Sequence, residues 1–389
     1  MDMPKKPSVE ITYLPFRYQA YFDWLLTGLG VLGQQGKLDL KFREPTWQKS
    51  LGFTVFGKSP WRRFMPHLWD QVSPLDYFCM TGRLRVHDRV VSFVVDVADS
   101  PFNFALAMLE TADLYFKCQC PITFDPQGFP LNSQVRIPYH PDVLTFAHKI
   151  RPGMLGRPLA RTTRLTANLR SLRQWEATFT PKKATRIFAF FGSSSSPEAW
   201  IPGSPLQSPY NYEGEAALLA RWGTQIHHPN CKRARLVQVL RGLGRPGIDA
   251  RVCRTDNPAI QGPWLDTVDY QAALQSAAIN VNISGLRRSV PFRFIDTFLC
   301  GGMVATDSLA VRWYAPFEAG VEVAKIGDLG YEPEDRVDWD LVRERLIDLS
   351  ESPGPNPEAI RDAYQRKWSP VAFANYFLRE CRKVLELQR

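Results

Sequence analysis

No stretch of this 389-residue chain is apolar for the roughly 18 to 20 residues that a bilayer-spanning helix needs, so no helical membrane span is expected. The opening Met-Asp-Met-Pro-Lys-Lys-Pro lacks the apolar core of a secretory signal, and a cytoplasmic protein is expected. Cysteine is sparse. The seven are odd in number and scattered, and Cys118-Gln119-Cys120 has neither zinc spacing nor a second pair. Reduced thiols and no bound metal are therefore expected, with Cys118 and Cys120 as core residues at a strand end. Histidine is scarcer still, at six. His87 falls in a polar hairpin-like run and His140 in a loop between Tyr139 and Pro141, where histidines are more often structural than catalytic. No fixed-period repeat, RNA-binding signature or helix-turn-helix pattern is present, so a nucleic-acid partner is not expected.

What the chain does have is apolar content and positive charge. Hydrophobic residues make up 44%, enough for sizeable cores, and the length exceeds a usual single domain. A net charge of +9 suits an anionic partner such as nucleic acid, a phospholipid surface or the phosphates of a sugar nucleotide. The densest basic patch, Lys232, Arg233, Arg235 and Arg241, falls on a helix expected over 234–240 and reads as its solvated face. Arg157, Arg161, Arg164, Arg170 and Arg173 form a second basic stretch in 152–181, expected to be a linker. Most of the 11 tryptophans should be core; Trp264 and Trp313 lie near the motif below, where a ring could meet a ligand.

Residues 278–307 form the most informative segment. Ile279, Val281 and Ile283 alternate with Asn280 and Asn282, as in a strand, and Gly285 permits a sharp turn. The basic loop of Arg287 and Arg288 follows. Ser289 is placed to cap the next helix, with Pro291 in its first turn, and Gly301-Gly302 stops it. Phe292, Ile295, Phe298 and Leu299 would face the core, leaving Ser289, Arg293 and Asp296 on a face directed at the arginine loop. An anion there would gain charge-assisted bonds, and Asp296 could accept from sugar hydroxyls. Taken alone, Arg293 and Asp296 at three-residue spacing also fit a plain surface ion pair.

Upstream, a strand over 187–191 runs into Gly192, Ser193 and Ser194, a small flexible loop whose N–H and hydroxyl groups could cradle phosphate. A helix over 234–240, a strand over 248–253 and a helix over 267–277 complete an alternation that implies a parallel sheet. In the first half, a strand over 9–14, a helix over 20–29 and a buried strand over 90–95 are expected. The last ends in Asp96 and Asp99, two acids placed for acid–base chemistry; equally, Asp99 or Ser100 could cap a helix over 102–110.

The order of Ser-Gly loop, Arg-Ser, Pro-Phe-Arg, an acid five residues before Gly-Gly, and a strand ending in Asp307 resembles the donor-binding segment of GT-B glycosyltransferases. It is most similar to the exostosin-like and related bacterial branches. The resemblance implies an α/β fold of two Rossmann-like domains facing a cleft: 1–180 for the acceptor, 181–356 for the nucleotide-sugar, and helices in 357–389 crossing back to the first domain. It places Arg293 near the phosphates and Asp296 at the acid that meets the ribose; Gly192, Ser193, Ser194, Gly285, Arg287, Arg288 and Ser289, read from their loops, are the further donor-binding candidates. Retaining members carry a glutamate eight positions before that acid; here the position is Arg288. A metal-independent, inverting Leloir transferase without cofactor is the expectation, with Asp99 as first choice of base and Asp96 second. The acceptor would be a glycan, a lipid-linked sugar or a small molecule, and a lipid-linked acceptor would require peripheral membrane contact. A non-catalytic nucleotide or polyanion-binding protein and a sugar-nucleotide epimerase of the same plan stay open.

Overall fold

The computed structural model describes residues 6–14, 20–43, 78–160, 164–177, 179–193, 221–227 and 229–387. Expected features at Pro15, Phe16, Arg17, Tyr18, Arg161 and Ser194 lie outside them.

The strands in chain order are β1 (Ser8–Tyr13), β2 (Asp39–Phe42), β3 (Cys79–Val86), β4 (Arg89–Asp96), β5 (Leu114–Lys117), β6 (Cys120–Pro121), β7 (Phe129–Pro130), β8 (Arg136–Ile137), β9 (Ile150–Pro152), β10 (Thr185–Ser193), β11 (Ile248–Arg254), β12 (Ala277–Val281), β13 (Met303–Asp307), β14 (Val311–Arg312) and β15 (Val323–Gly327). The helices are α1 (Asp23–Gln34), α2 (Leu106–Thr111), α3 (Pro141–Thr145), α4 (Leu165–Glu176), α5 (Pro229–Gly242), α6 (Thr267–Ser276), α7 (Arg293–Leu299), α8 (Trp339–Glu351), α9 (Pro357–Lys367) and α10 (Pro370–Leu387).

The first sheet runs β2-β1-β3-β4-β5-β9. Its strands are parallel except β3, which is antiparallel to both β1 and β4. That exception departs from a plain Rossmann pattern. It arises from a two-residue hairpin in which Val86 pairs with Arg89 and His87 adopts φ +55°. His87 is thus a turn residue. β4 sits mid-sheet, which is why its Val91, Phe93, Val94 and Val95 are all buried rather than alternating in and out.

The second sheet is wholly parallel, in the order β11-β10-β12-β13-β15. In strand sequence this is the doubly wound order 2-1-3-4-5, whose chain direction reverses between β10 and β12. Right-handed crossovers place α5, leaving β10 toward β11, and α6, returning from β11 to β12, on opposite faces. Sheets of this order generally take ligands outside the carboxyl ends of the strands at such a switch point, here the end of β10 and the loop 282–292 after β12.

Three local expectations differ. The helix expected over 102–110 starts only at Leu106, because Ser100 Oγ accepts from Asn103 N–H in a tight turn and the Tyr115 hydroxyl takes the Ala105 N–H. The segment expected as a linker contains α4, which buries Asn168, Leu172 and Trp175. His140 caps α3 by accepting from Asp142 N–H.

After the second sheet the chain returns to the first. α10 packs on α1 and β4, where Phe377 meets Phe93 edge-on at 4.8 Å and Arg89 donates to the Leu385 carbonyl. Gly28 is required at that crossing, since a Cβ there would lie 1.9 Å from the Pro370 carbonyl oxygen. The apolar core is continuous across both sheets. Among the described residues no helix is long and apolar enough to cross a membrane.

Candidate active site at the carboxyl ends of the two sheets

The loop after β12 is held in an unusual shape. Arg287 and Arg288 are consecutive non-glycine residues at φ +56° and +59°, and only one other described non-glycine residue has positive φ. Each left-handed residue costs about 1–2 kcal/mol, so the loop persists only because its surroundings fix it. Asp307, at the end of β13, accepts from Ser284 N–H and Ser284 Oγ, both at 2.6 Å, and from Gly330 N–H. Gly285 N–H closes the turn on the Ser289 carbonyl at 2.8 Å, and a Cβ on Gly285 would sit 2.7 Å from Ser289 Oγ. The Tyr331 hydroxyl takes the Arg287 N–H at 2.7 Å.

Two expectations about this segment are corrected. Ser289 does not cap α7. The helix begins at Arg293 after Phe292 with no side-chain cap, and buried Ser289 belongs to the closed turn before it. Asp296 does not face the arginine loop. It is fully buried on the side of α7 toward the first half of the chain, where Arg157 Nη1 donates to Oδ1 at 2.5 Å. Arg157 in turn stacks over the Trp175 ring of α4. Among the described residues neither Asp296 Oδ2 nor the nearby Tyr270 hydroxyl has a hydrogen-bond partner. Burial raises the Asp296 carboxyl above its ordinary range against the opposing pull of Arg157.

The arginines divide into those already engaged and those left over. Arg288 donates to the Pro130 and Ser308 carbonyls, so most of its fork is spent on the protein. Arg287 rests against the Phe102 ring. Arg293, half-buried, has no hydrogen bond or ion pair from its guanidinium among the described residues. Arg233 of α5 lies within electrostatic reach of it. Among the described residues its guanidinium meets the Phe191 ring near the end of β10, 5.5 Å away, and makes no hydrogen bond or ion pair, its Nε being sealed from solvent. Burial, with Arg293 next to it, pushes Arg233 down to about 9, against the smaller pull of Asp307. A guanidinium holds its proton tightly in proteins, so Arg233 stays charged despite this stress.

Arg233 overturns the reading of its helix as a solvated basic face. Lys232 is fully buried beside Glu334, and Arg241 donates to the Ala250 and Ala259 carbonyls. Gly192 and Ser193 end β10 at the same crevice, Ser193 lying opposite Arg254. Trp313 is a core ring packed between Phe294 and Phe317. Trp264 is 65% exposed and rests edge-on against Phe190, which packs on Tyr270.

In the first sheet the two candidate acids separate. Asp96 is buried and fully engaged: Tyr115 Oη and Lys117 Nζ each donate to Oδ2 at 2.6 Å, and Ala98 N–H to Oδ1. Lys117, wholly buried, also donates to the Asn103 carbonyl. A carboxylate so bound holds the end of β4 to β5 and has no lone pair directed at solvent. Asp99, three residues on, is exposed.

The two carboxyl ends meet. Gln119, two residues after β5, is buried and both donates to and accepts from the Val290 backbone, at 3.0 and 2.9 Å. β6 pairs antiparallel with β14, joining the segments that follow β5 and β13. The loops of both sheets thus lie against one another around the arginine turn.

No known family's sequence model matches this chain, and no curated protein matches it either. Among solved structures it is similar to the GtfA/B complex, at TM-score 0.39 and 10% identity over 78% of this chain and 63% of that one. It is also similar to a putative UDP-N-acetylglucosamine 2-epimerase from Listeria monocytogenes, at TM-score 0.39 and 10% identity over 99% and 98% of the two chains. A third is HepE of Anabaena in complex with UDP-glucose, at TM-score 0.36 and 10% identity over 97% and 99%. The fold of this chain is α/β, with one parallel and one largely parallel sheet joined at their carboxyl ends.

Proposed function

We propose that this chain is a metal-independent glycosyltransferase that moves a sugar from a nucleoside-diphosphate sugar to an acceptor hydroxyl. The reading is carried by Arg233 and Arg293: half-buried guanidinium groups within electrostatic reach of one another, neither making a hydrogen bond or ion pair among the described residues, at the switch point of an all-parallel sheet. Two adjacent unpaired cations favour a multiply charged anion, and a diphosphate fits that need better than a neutral ligand. In this role they bind the donor and stabilise the charge that grows on the diphosphate as the sugar carbon–oxygen bond breaks. The strained arginine turn, with Gly285 and Ser289, and the end of β10 at Gly192 and Ser193 contribute to the same site; Ser194 is assigned to it from the Gly-Ser loop pattern of the sequence alone.

Asp296 is assigned to the ribose hydroxyls on the resemblance alone, since its carboxylate is buried against Arg157. Trp264, over Phe190, offers an apolar ring to the base. Asp99 is the base that removes the acceptor proton, because Asp96 is bound to Lys117 and Tyr115. Attack aided by a single base inverts the sugar carbon, in keeping with an arginine rather than an acid at position 288.

The test is to incubate UDP-, GDP-, dTDP-, CDP- and ADP-sugars with and without glycan, lipid-linked and small-molecule acceptors, and to quantify nucleoside diphosphate released. Acceptor-dependent release, lost in Arg293→Ala, supports the transferase. A rearranged donor formed without acceptor would make it an epimerase, and binding without turnover a binding protein.

A further inference from the structure

We propose that residues 119–135 of the first half are the positioning element of the arginine turn, with Gln119 and Asn132 as its positioning residues; this rests on the reading of that turn as part of an anion site. The turn belongs to the second sheet by sequence, yet part of its anchoring comes from the other side. Val290, the residue that follows Ser289, has both backbone polar groups satisfied by the buried Gln119 amide. Arg288 donates to the Pro130 carbonyl. Arg287 is held at its N–H by the Tyr331 hydroxyl and lies against Phe102.

Tyr331 is itself gripped from the first half. Asn132 Nδ2 donates to the Tyr331 and Gln225 carbonyls, while its Oδ1 accepts from the Gln134 and Val135 N–H groups and keeps the amide oriented. Ser133 donates twice to the Glu332 carboxylate. Beneath these bonds lies a small core separate from the main one, made of Leu131, Val135, Ile226 and Tyr331, none more than 2% exposed. A second core formed from both sides of the seam is more than incidental contact.

Two left-handed arginines need an environment that over-determines them. Here Gln119 fixes the turn at Val290, and Asn132, acting through Tyr331, fixes it at Arg287. Anion affinity at the turn is therefore coupled to the seam, and by linkage an anion tightens the seam as much as the seam tightens the anion.

The experiment titrates inorganic pyrophosphate into the full chain and its variants by calorimetry at fixed salt, and follows amide hydrogen exchange with and without pyrophosphate. Gln119→Glu keeps an acceptor for the Val290 N–H but sets a carboxylate against the Val290 carbonyl; Gln119→Asn withdraws the amide by one methylene. Either variant that melts cooperatively is expected to bind pyrophosphate at least tenfold more weakly than wild type. In wild type, pyrophosphate is expected to slow exchange across 119–121 and 131–135, a response that a purely structural role would not produce. Wild-type affinity in a folded Gln119 variant, or unchanged exchange in those peptides while pyrophosphate binds, would overturn the positioning role alone. Wild type that binds no pyrophosphate would overturn the anion site and the inference with it.

Discussion

Each sheet carries a cluster of buried charge at its carboxyl end, and the two are built oppositely. In the first, Lys117 is wholly buried but neutralised by Asp96 at 2.6 Å, with Tyr115, the Ala98 N–H and the Asn103 carbonyl completing the set. In the second, the half-buried Arg233 and Arg293 repel one another electrostatically while the nearby acid, Asp307, is committed to Ser284 and Gly330. Burying an ion costs several kcal/mol unless a partner offsets it. A buried cation whose partner is present is part of the scaffold. One whose partner is missing is the basis for the anion site proposed above, and the strained Arg287 and Arg288 belong to the same proposed site.

This contrast can be broken from either side. The largest effect is expected in the scaffold cluster: Lys117→Met strands the Asp96 carboxylate and should lower unfolding free energy by about 3–5 kcal/mol in urea denaturation. Pyrophosphate affinity of the folded fraction should stay unchanged. In the open cluster the signs reverse. Arg233→Met removes a stressed cation and should raise the stability of the unliganded protein by about 1 kcal/mol, while weakening pyrophosphate binding by ~1.5–3 kcal/mol.

Trp264→Ala should weaken UDP or GDP by about 1 kcal/mol, roughly fivefold, and leave pyrophosphate unaffected, which separates base stacking from charge. The smallest effect is a pH slope. Burial raises the Asp296 carboxyl, so its contribution to stability is fully present below the unfolded value of about 3.9 and is lost as pH rises through the folded one. Wild type should therefore lose melting temperature relative to Asp296→Asn as pH is raised from about 4.

The sequence carried the alternation of the second sheet well. Strands over 187–191 and 248–253 and the helix over 267–277 coincide with β10, β11 and α6, because parallel strands buried on both faces read as compact apolar runs. β3 was legible only at its end: the hairpin-like run over 83–89 holds the β3–β4 turn, but the exposed Arg83 and Arg85 gave no apolar pattern from which the whole strand could be read. Asp96 and Asp99 were indistinguishable as a pair of acids, since what separates them is Lys117, twenty-one residues on, reaching back across the sheet.

Arg233 was the legible signal that charge counting obscured. Positions 233, 236, 237 and 240 form one helical stripe, and Leu236, Val237 and Leu240 are all fully buried. An arginine in an apolar stripe is in the core or at a ligand, whatever its basic neighbours suggest. Gln119, by contrast, has no pattern in the sequence, because its partner Val290 is 171 residues away.

The most direct test of the account is calorimetric titration of inorganic pyrophosphate and a panel of nucleoside diphosphates into wild type and Arg293→Ala. Binding by wild type that falls at least tenfold in the variant, with an unchanged or higher melting temperature, is the predicted result. Equal affinity in the two proteins, or no binding by a folded wild type, would contradict the claim that the unpaired arginines of the second sheet await a diphosphate.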